Sequence, residues 1–148
     1  MTIPLFLIPL FAGLVAHALK PVFSKQMRNE QATILDPRPR YGGMPSAHMA
    51  FVSSLVMVVG LEAGYRSTLF AVAVAIFILV LDEAVRLRVF LSRYGIAILR
   101  LLRRLPDQEQ RDLPPIEHRM GHSLPEVLGG LVVGVAVTLG LLLLEVWL

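Results

Sequence analysis

The chain has 148 residues, 55% of them hydrophobic, and a mean hydropathy of +0.68, which is too apolar for an ordinary soluble domain. It contains no cysteine, which excludes disulfides and thiolate metal sites. The net charge of +3 requires no nucleic-acid partner, because basic loops beside anionic lipid head groups account for it. We therefore expect residues 1–148 to form one all-α domain embedded in a membrane.

Four stretches without Asp, Glu, Lys or Arg predict transmembrane helices at residues 2–19, 41–61, 67–81 and 127–144. A span needs roughly 20 apolar residues, so the third stretch is short and crosses only if its helix continues past Asp82. The first stretch has no basic segment before it and no small-residue cleavage site after it. We therefore expect a retained helix there, in preference to a signal peptide.

Basic residues predict the orientation of these helices. Every Lys and Arg except Arg66 lies between the first and second spans or between the third and fourth spans. With four spans both loops lie on one side, and the positive-inside rule makes that side cytoplasmic. We expect an integral protein of the inner or plasma membrane whose functional site faces the cytoplasm.

The segment after the third span keeps a helical pattern from Arg86 to Arg104, with Arg86, Arg93, Arg100 and Arg104 along one face. This pattern predicts an amphipathic helix in the membrane interface. The basic stripe serves as a lipid anchor, with Arg86 and Arg88 as the better candidates for a further role. Asp82 precedes Arg86 by one helical turn, so the two can form an ion pair that holds the guanidinium toward a site.

A polar cluster precedes the last apolar stretch. Ser123 followed three residues later by Glu126 is a capping-box signature, which places His122 at a helix N-terminus. The amides and dipole of that terminus attract phosphate and favour a neutral, nucleophilic imidazole. Glu126 lies one turn beyond His122. It is either a helix cap alone or also the acceptor that fixes the imidazole tautomer.

A second polar cluster opens the second apolar stretch. Gly42 and Gly43 permit a backbone nest, and Ser46 can cap the helix or donate to a phosphate oxygen. His48 then lies in the first helical turn, either facing the loop or as an ordinary interface residue. Lys20, at the end of the first span, is a snorkelling anchor or a phosphate ligand. Because ionisable groups near hydrocarbon usually line a cavity or a reaction site, two such clusters predict one shared site.

These residues resemble the type 2 phosphatidic acid phosphatase superfamily, which also includes vanadium haloperoxidases. The shared features occur in the same order, as Lys20, then Pro45-Ser46-Ala47-His48, then His122 with Glu126 four residues later. Residues 41–50, 82–88 and 121–127 are similar to the blocks of its short divergent membrane branch. The resemblance implies a helical bundle with about four transmembrane helices plus the interfacial helix.

Several features depart from the superfamily pattern. The chain has no Arg-Pro seven residues after Lys20 and no Ser-Arg ahead of His122, and Leu87 interrupts the arginine pair. The phosphate-holding arginine is therefore open among Arg88, Arg86 and Arg119.

The resemblance implies a lipid phosphatase that uses neither a metal nor another cofactor. His122 attacks phosphorus and forms a phosphohistidine, Glu126 orients it, and His48 protonates the departing alkoxide. The residues implied in substrate binding are Lys20, Ser46, Asp82, Arg86 and Arg88. The implied substrate is a lipid phosphate monoester, with phosphatidylglycerophosphate as the candidate.

Two other interpretations are open. The missing arginine motifs suit a non-catalytic protein that binds or transports a lipid phosphate on the same fold. The brevity of the chain suits a small structural partner of a larger membrane complex. The expected partners are the lipid substrate and the bilayer, and the sequence is compatible with both a monomer and a homodimer.

Overall fold

The computed structural model describes residues 4–28, 43–102, 104, 106 and 123–147. All regular structure in these residues is helical. The helices are α1 (Leu7–Arg28), α2 (Ala47–Ala63), α3 (Thr68–Asp82), α4 (Arg88–Leu102) and α5 (Leu124–Trp147), with a π-helical segment at Glu83–Leu87 between α3 and α4. The all-α prediction is therefore confirmed for the described part of the chain.

Serine side chains set the starts of α2 and α3. The Ser46 hydroxyl accepts the third amide of its helix at 3.5 Å, and the Ser67 hydroxyl accepts the Phe70 amide at 3.1 Å. Between the two helices, Gly64 has a φ of 84°, which favours glycine, and the Tyr65 and Phe70 rings pack edge to face. This short turn reverses the chain, so α2 and α3 are antiparallel.

Helix α2 lies at the centre of the bundle and packs against α1, α3 and α5. The start of α2 at Ser46 lies against Gly130, and one turn later the Ala50 carbonyl lies against Gly134. A further turn along, the Ser54 hydroxyl is 2.7 Å from the Thr138 hydroxyl. These three contacts advance in the same direction along both helices. Helices α2 and α5 are therefore parallel, and their N-termini lie at the same end of the bundle.

The packing places small residues inside and large apolar residues outside. The buried helix positions are mostly small, namely Ala12, Ala16, Ala50, Ser53, Ser54, Ala73 and Thr138. Large side chains are exposed on the outer faces, among them Phe6, Leu14, Leu69, Leu79 and Leu143, each at 60% or more. Small residues at contacts with hydrogen bonds between helices are typical of packing in a bilayer, and exposed apolar faces on this scale suit lipid contact.

The lengths of the apolar helices differ from the lengths of the charge-free stretches. Thr68–Arg86 and Leu124–Leu144 are long and apolar enough to cross a membrane, whereas Leu7–Phe23 and Ala47–Ala63 are shorter. The second helix is shorter than expected because the residues before Ala47 form a cap instead of a helical turn. Helix α3 itself ends at Asp82, but the π-helical segment continues the helical path to Arg86, which is the condition that the sequence set for the third span. Within the described ranges two candidate spans are therefore found, and four remain a prediction.

Candidate active site

The two polar clusters meet where α2 and α5 begin. The Ser46 amide donates a hydrogen bond to the Glu126 carbonyl oxygen, with a nitrogen–oxygen distance of 2.9 Å. Ser46 is fully buried, and Val127 beside Glu126 packs with Met49 and Val52 in a small apolar core. Segments far apart in the sequence are thus fixed to each other by their main chains, as the prediction of a shared site requires.

Glycines in α5 allow this close approach. A β-carbon at Gly130 would overlap the Ser46 carbonyl oxygen and would stand 2.9 Å from the Met49 β-carbon. A β-carbon at Gly129 would stand 3.0 Å from the Met44 Cε atom. In the segment that precedes α2, Gly43 has a φ of 99°, a backbone conformation that residues other than glycine rarely adopt. The two helix N-termini therefore approach more closely than larger residues would permit.

The Glu126 carboxylate turns back toward the N-terminus of α5. Its Oε2 atom accepts the Ser123 amide at 2.7 Å, and the Val127 amide donates to the Ser123 carbonyl at 3.0 Å. The predicted role of Glu126 as a cap is therefore confirmed. An ionised carboxylate has about four lone-pair positions, so this bond leaves capacity for a second acceptor role. His122 lies outside the described residues, so the proposed hydrogen bond from its imidazole to Glu126 stays a prediction.

The Ser123 hydroxyl is the feature that sequence reasoning missed. The capping box assigned it to a backbone amide, yet within the described chain its Oγ atom is buried and makes no hydrogen bond. An unpaired buried hydroxyl destabilises the fold by about 1–3 kcal/mol, so such groups need an explanation. Its place beside the predicted nucleophile was the only sequence signal for a role beyond capping.

His48 lies in the first turn of α2, two residues after Ser46, and its side chain is exposed. It lines an open groove of about 760 Å³ whose other walls are apolar residues of α1, α2 and α3. The imidazole is thus at the end of the bundle where Ser46 and Glu126 meet. The two interpretations of His48, as a catalytic residue or an interface residue, both stay open on this geometry.

The predicted ion pair between Asp82, the last residue of α3, and Arg86 of the π-helical segment is present. The Asp82 Oδ1 atom is 3.4 Å from the Arg86 NH1 atom, and the two side chains are 52% and 69% exposed. Exposed pairs of this kind contribute only about 0–1 kcal/mol, so the pair adds little to the stability of the fold, and its role in holding the guanidinium toward a site stays a prediction. Leu81, next to Asp82, packs against the core near Met49, so the pair lies toward the same end of the bundle as the start of α2.

The structure says less about the remaining residues that were predicted to bind phosphate. Lys20 is partly buried on α1, seven residues and so about 10 Å along the helix from Gly13, which lies against Ala47. The backbone of Arg88 begins α4, but its side chain and Arg119 lie outside the described residues. In the part of the chain that the structure describes, no three His, Asp or Glu side chains are grouped to hold a metal. Metal independence stays a prediction.

The segments that meet at this junction, Pro45-Ser46-Ala47-His48 and the segment that contains Glu126, are among those that carry the resemblance to type 2 phosphatidic acid phosphatases. The model of the Divergent PAP2 family matches residues 1–137. The chain therefore belongs to the Divergent PAP2 family, and the resemblance inferred from its motifs is confirmed. No curated protein and no solved structure gave a significant match to the sequence.

Proposed function

We propose that the protein is a membrane-embedded phosphatase that hydrolyses a lipid phosphate monoester without a metal, with phosphatidylglycerophosphate as the candidate substrate. The observation that carries this proposal is the hydrogen bond from the Ser46 amide to the Glu126 carbonyl at 2.9 Å. Because α2 and α5 are parallel, the positive ends of both helix dipoles lie together at this bond. Such a convergence favours the binding of an anion such as a phosphoryl group.

The proposed reaction has two steps. The His122 imidazole attacks phosphorus in line, so that a phosphorus–nitrogen bond forms while the bond to the alcohol oxygen breaks. His48 gives its proton to that oxygen as it leaves. Water then attacks the phosphohistidine, loses a proton to His48 and releases inorganic phosphate with His122 restored. Glu126 orients His122 in both steps.

Charge stabilisation would supply most of the acceleration. Phosphoryl transfer spreads negative charge over three equatorial oxygens, and fixed donors aimed at those oxygens lower the barrier. The proposed donors are Lys20, Ser46 and an arginine held by Asp82, for which Arg86 is supported by the 3.4 Å ion pair. The Ser123 hydroxyl, which has no partner among the described residues, is the fourth proposed donor and lies next in sequence to the proposed nucleophile.

We also propose that four helices cross the membrane, with α4 in the cytoplasmic interface. In such a chain the second and fourth spans run in the same direction, which agrees with the parallel packing of α2 and α5. The 17-residue α2 is about 26 Å long, slightly less than the roughly 30 Å hydrocarbon core. Local thinning of the bilayer compensates for a mismatch of this size.

The decisive experiment measures phosphate release from phosphatidylglycerophosphate by the detergent-solubilised protein in EDTA. We expect His122→Ala to abolish turnover and His48→Ala to lower it by about 10²–10⁴-fold, the usual contribution of a general acid. His17→Ala, which changes an exposed histidine of α1, is the matched control and should retain activity. An acid-labile phosphoenzyme should form in the parent protein and be absent from His122→Ala. Turnover that survives both active-site changes would end the proposal.

One alternative has a specific observation in its favour. The chain lacks the Arg-Pro and Ser-Arg elements at the superfamily spacings, which suits a protein that binds or transports a lipid phosphate without hydrolysing it. Saturable binding of the lipid phosphate with neither product nor phosphoenzyme would favour this alternative.

A further inference from the structure

We infer that the groove between α1, α2 and α3 holds a hydrocarbon chain of the phosphate-bearing lipid while its head group lies at His48. This inference rests on the proposed function and specifies its substrate as an amphiphile whose chain enters the protein from the side. It concerns where the chain of the lipid lies, which the catalytic residues alone do not determine.

The composition of the groove carries the inference. Its volume of about 760 Å³ is within the range of roughly 300–1,000 Å³ that is usual for small-molecule sites. Its walls are formed by apolar side chains of three helices, namely Leu10 and Leu14 of α1, Phe51 of α2, and Ile76 and Val80 of α3. Among the residues that the structure describes, His48 is the one polar side chain that lines it. A long apolar wall with a single polar group matches a molecule with an apolar chain and a polar head.

The surroundings of the groove point to lipid as the source of the occupant. Leu14 is 66% exposed and Ile76 is 40% exposed, so the groove opens onto an apolar outer face. An occupant that enters through this face comes from a hydrocarbon phase. Gly13 also lines the groove, and a β-carbon there would lie in ordinary contact with Phe51 at 3.5 Å.

The position of His48 connects the groove to the proposed chemistry. Ser46, two residues earlier, is hydrogen-bonded to Glu126, so the polar end of the groove coincides with the junction of α2 and α5. A lipid whose chain lies along Phe51 and Val80 would therefore present its phosphate ester oxygen near the proposed general acid. Binding of the unreactive chain then orients the reacting group, which is how remote contacts raise catalytic rates.

The groove should determine where the lipid lies more than how tightly the lipid binds. Lipid tails are as apolar as leucine side chains, so moving a chain from the bilayer into the groove changes its free energy little. Preference for one lipid over another must then come from its head group. A phosphate monoester and a phosphocholine lipid with identical chains should accordingly occupy the groove to different extents.

Photo-crosslinking of the full chain in phosphatidylcholine nanodiscs tests the inference. Two diacyl probes carry a diazirine in the middle of one chain, one with a phosphate monoester head group and one with phosphocholine. The His122→Ala variant is labelled in parallel so that hydrolysis does not alter the first probe. We expect the phosphate probe to label groove residues, mapped by mass spectrometry, several-fold more than the phosphocholine probe.

A matched pair of variants controls for surface effects. Leu14 and Leu79 are both 66% exposed, but only Leu14 lines the groove. We expect Leu14→Trp to lower groove labelling several-fold and Leu79→Trp to leave it unchanged. Equal labelling by the two probes, or labels that map outside the groove, would overturn the inference. Because crosslinking needs no turnover, an inactive protein that still shows head-group preference would refute the phosphatase proposal alone.

Discussion

Replacing Gly130 with alanine tests whether the close approach of α2 and α5 builds the active site. The new β-carbon would stand 2.9 Å from the Met49 β-carbon and 3.1 Å from the Ser46 carbonyl carbon. Carbon atoms in contact prefer roughly 3.5–4.0 Å, so the two helices must separate by about 1 Å. A displacement of about 1 Å in positioned catalytic groups lowers rates by roughly 10²-fold. Overpacking also destabilises a fold by about 1–3 kcal/mol.

The assay compares phosphate release and thermal unfolding in detergent for Gly130→Ala and a control on the same helix. Gly140→Ala is that control, because a β-carbon at Gly140 meets no atom within 4 Å. We expect the control to keep full activity and an unchanged or raised Tm. If Gly130→Ala retains activity within a factor of about three and the same Tm, the helix junction does not position the site, and the reasoning from packing to chemistry fails.

Three further predictions concern the interior, the site and the topology. Thr138→Val keeps the shape of the side chain but removes the buried hydroxyl that pairs with Ser54 at 2.7 Å, so stability should fall by about 0.6–2 kcal/mol with activity retained. An unchanged Tm would show that this hydrogen bond contributes nothing. Ser123→Ala removes a buried hydroxyl without a partner in the described chain, so Tm should hold or rise while activity falls by roughly 10–100-fold, as expected for a hydrogen bond to a charged group. Full activity in this variant would exclude a role at the phosphate. The chain has no cysteine, so Tyr65→Cys and Arg104→Cys each introduce a unique label site at an exposed position. An impermeant maleimide should label the first in intact cells and the second only after permeabilisation, and the reverse pattern would invert the topology.

The sequence predicted the local features of this fold well. Helical content, the Ser46 cap, the Glu126 cap and the Asp82–Arg86 pair all depend on residues within one turn of each other. Interactions over so short a distance follow directly from residue spacing. The meeting of the two polar clusters was also predicted, because two unusual motifs before apolar stretches suggested a single site.

Features that depend on packing between helices were not predicted. The charge-free stretch before Ala47 counted residues that form a cap, so the second helix is shorter than its composition suggested. The groove at His48 arises from the packing of three helices, and no motif in the sequence marks the π-helical segment after Asp82. A motif likewise does not show that the Ser123 hydroxyl has no partner in the described part of the chain, because the same residues can form a capping box with either one or two hydrogen bonds.

The bond between Ser46 and Glu126 uses only main-chain atoms. Any amino acid except proline would supply the same donor at position 46, and every amino acid supplies the same acceptor at position 126. This hydrogen bond therefore does not depend on which side chains stand at positions 46 and 126. Exchange of the Ser46 hydroxyl or the Glu126 carboxylate for another group of similar size would remove a helix cap but keep this hydrogen bond between the two helices.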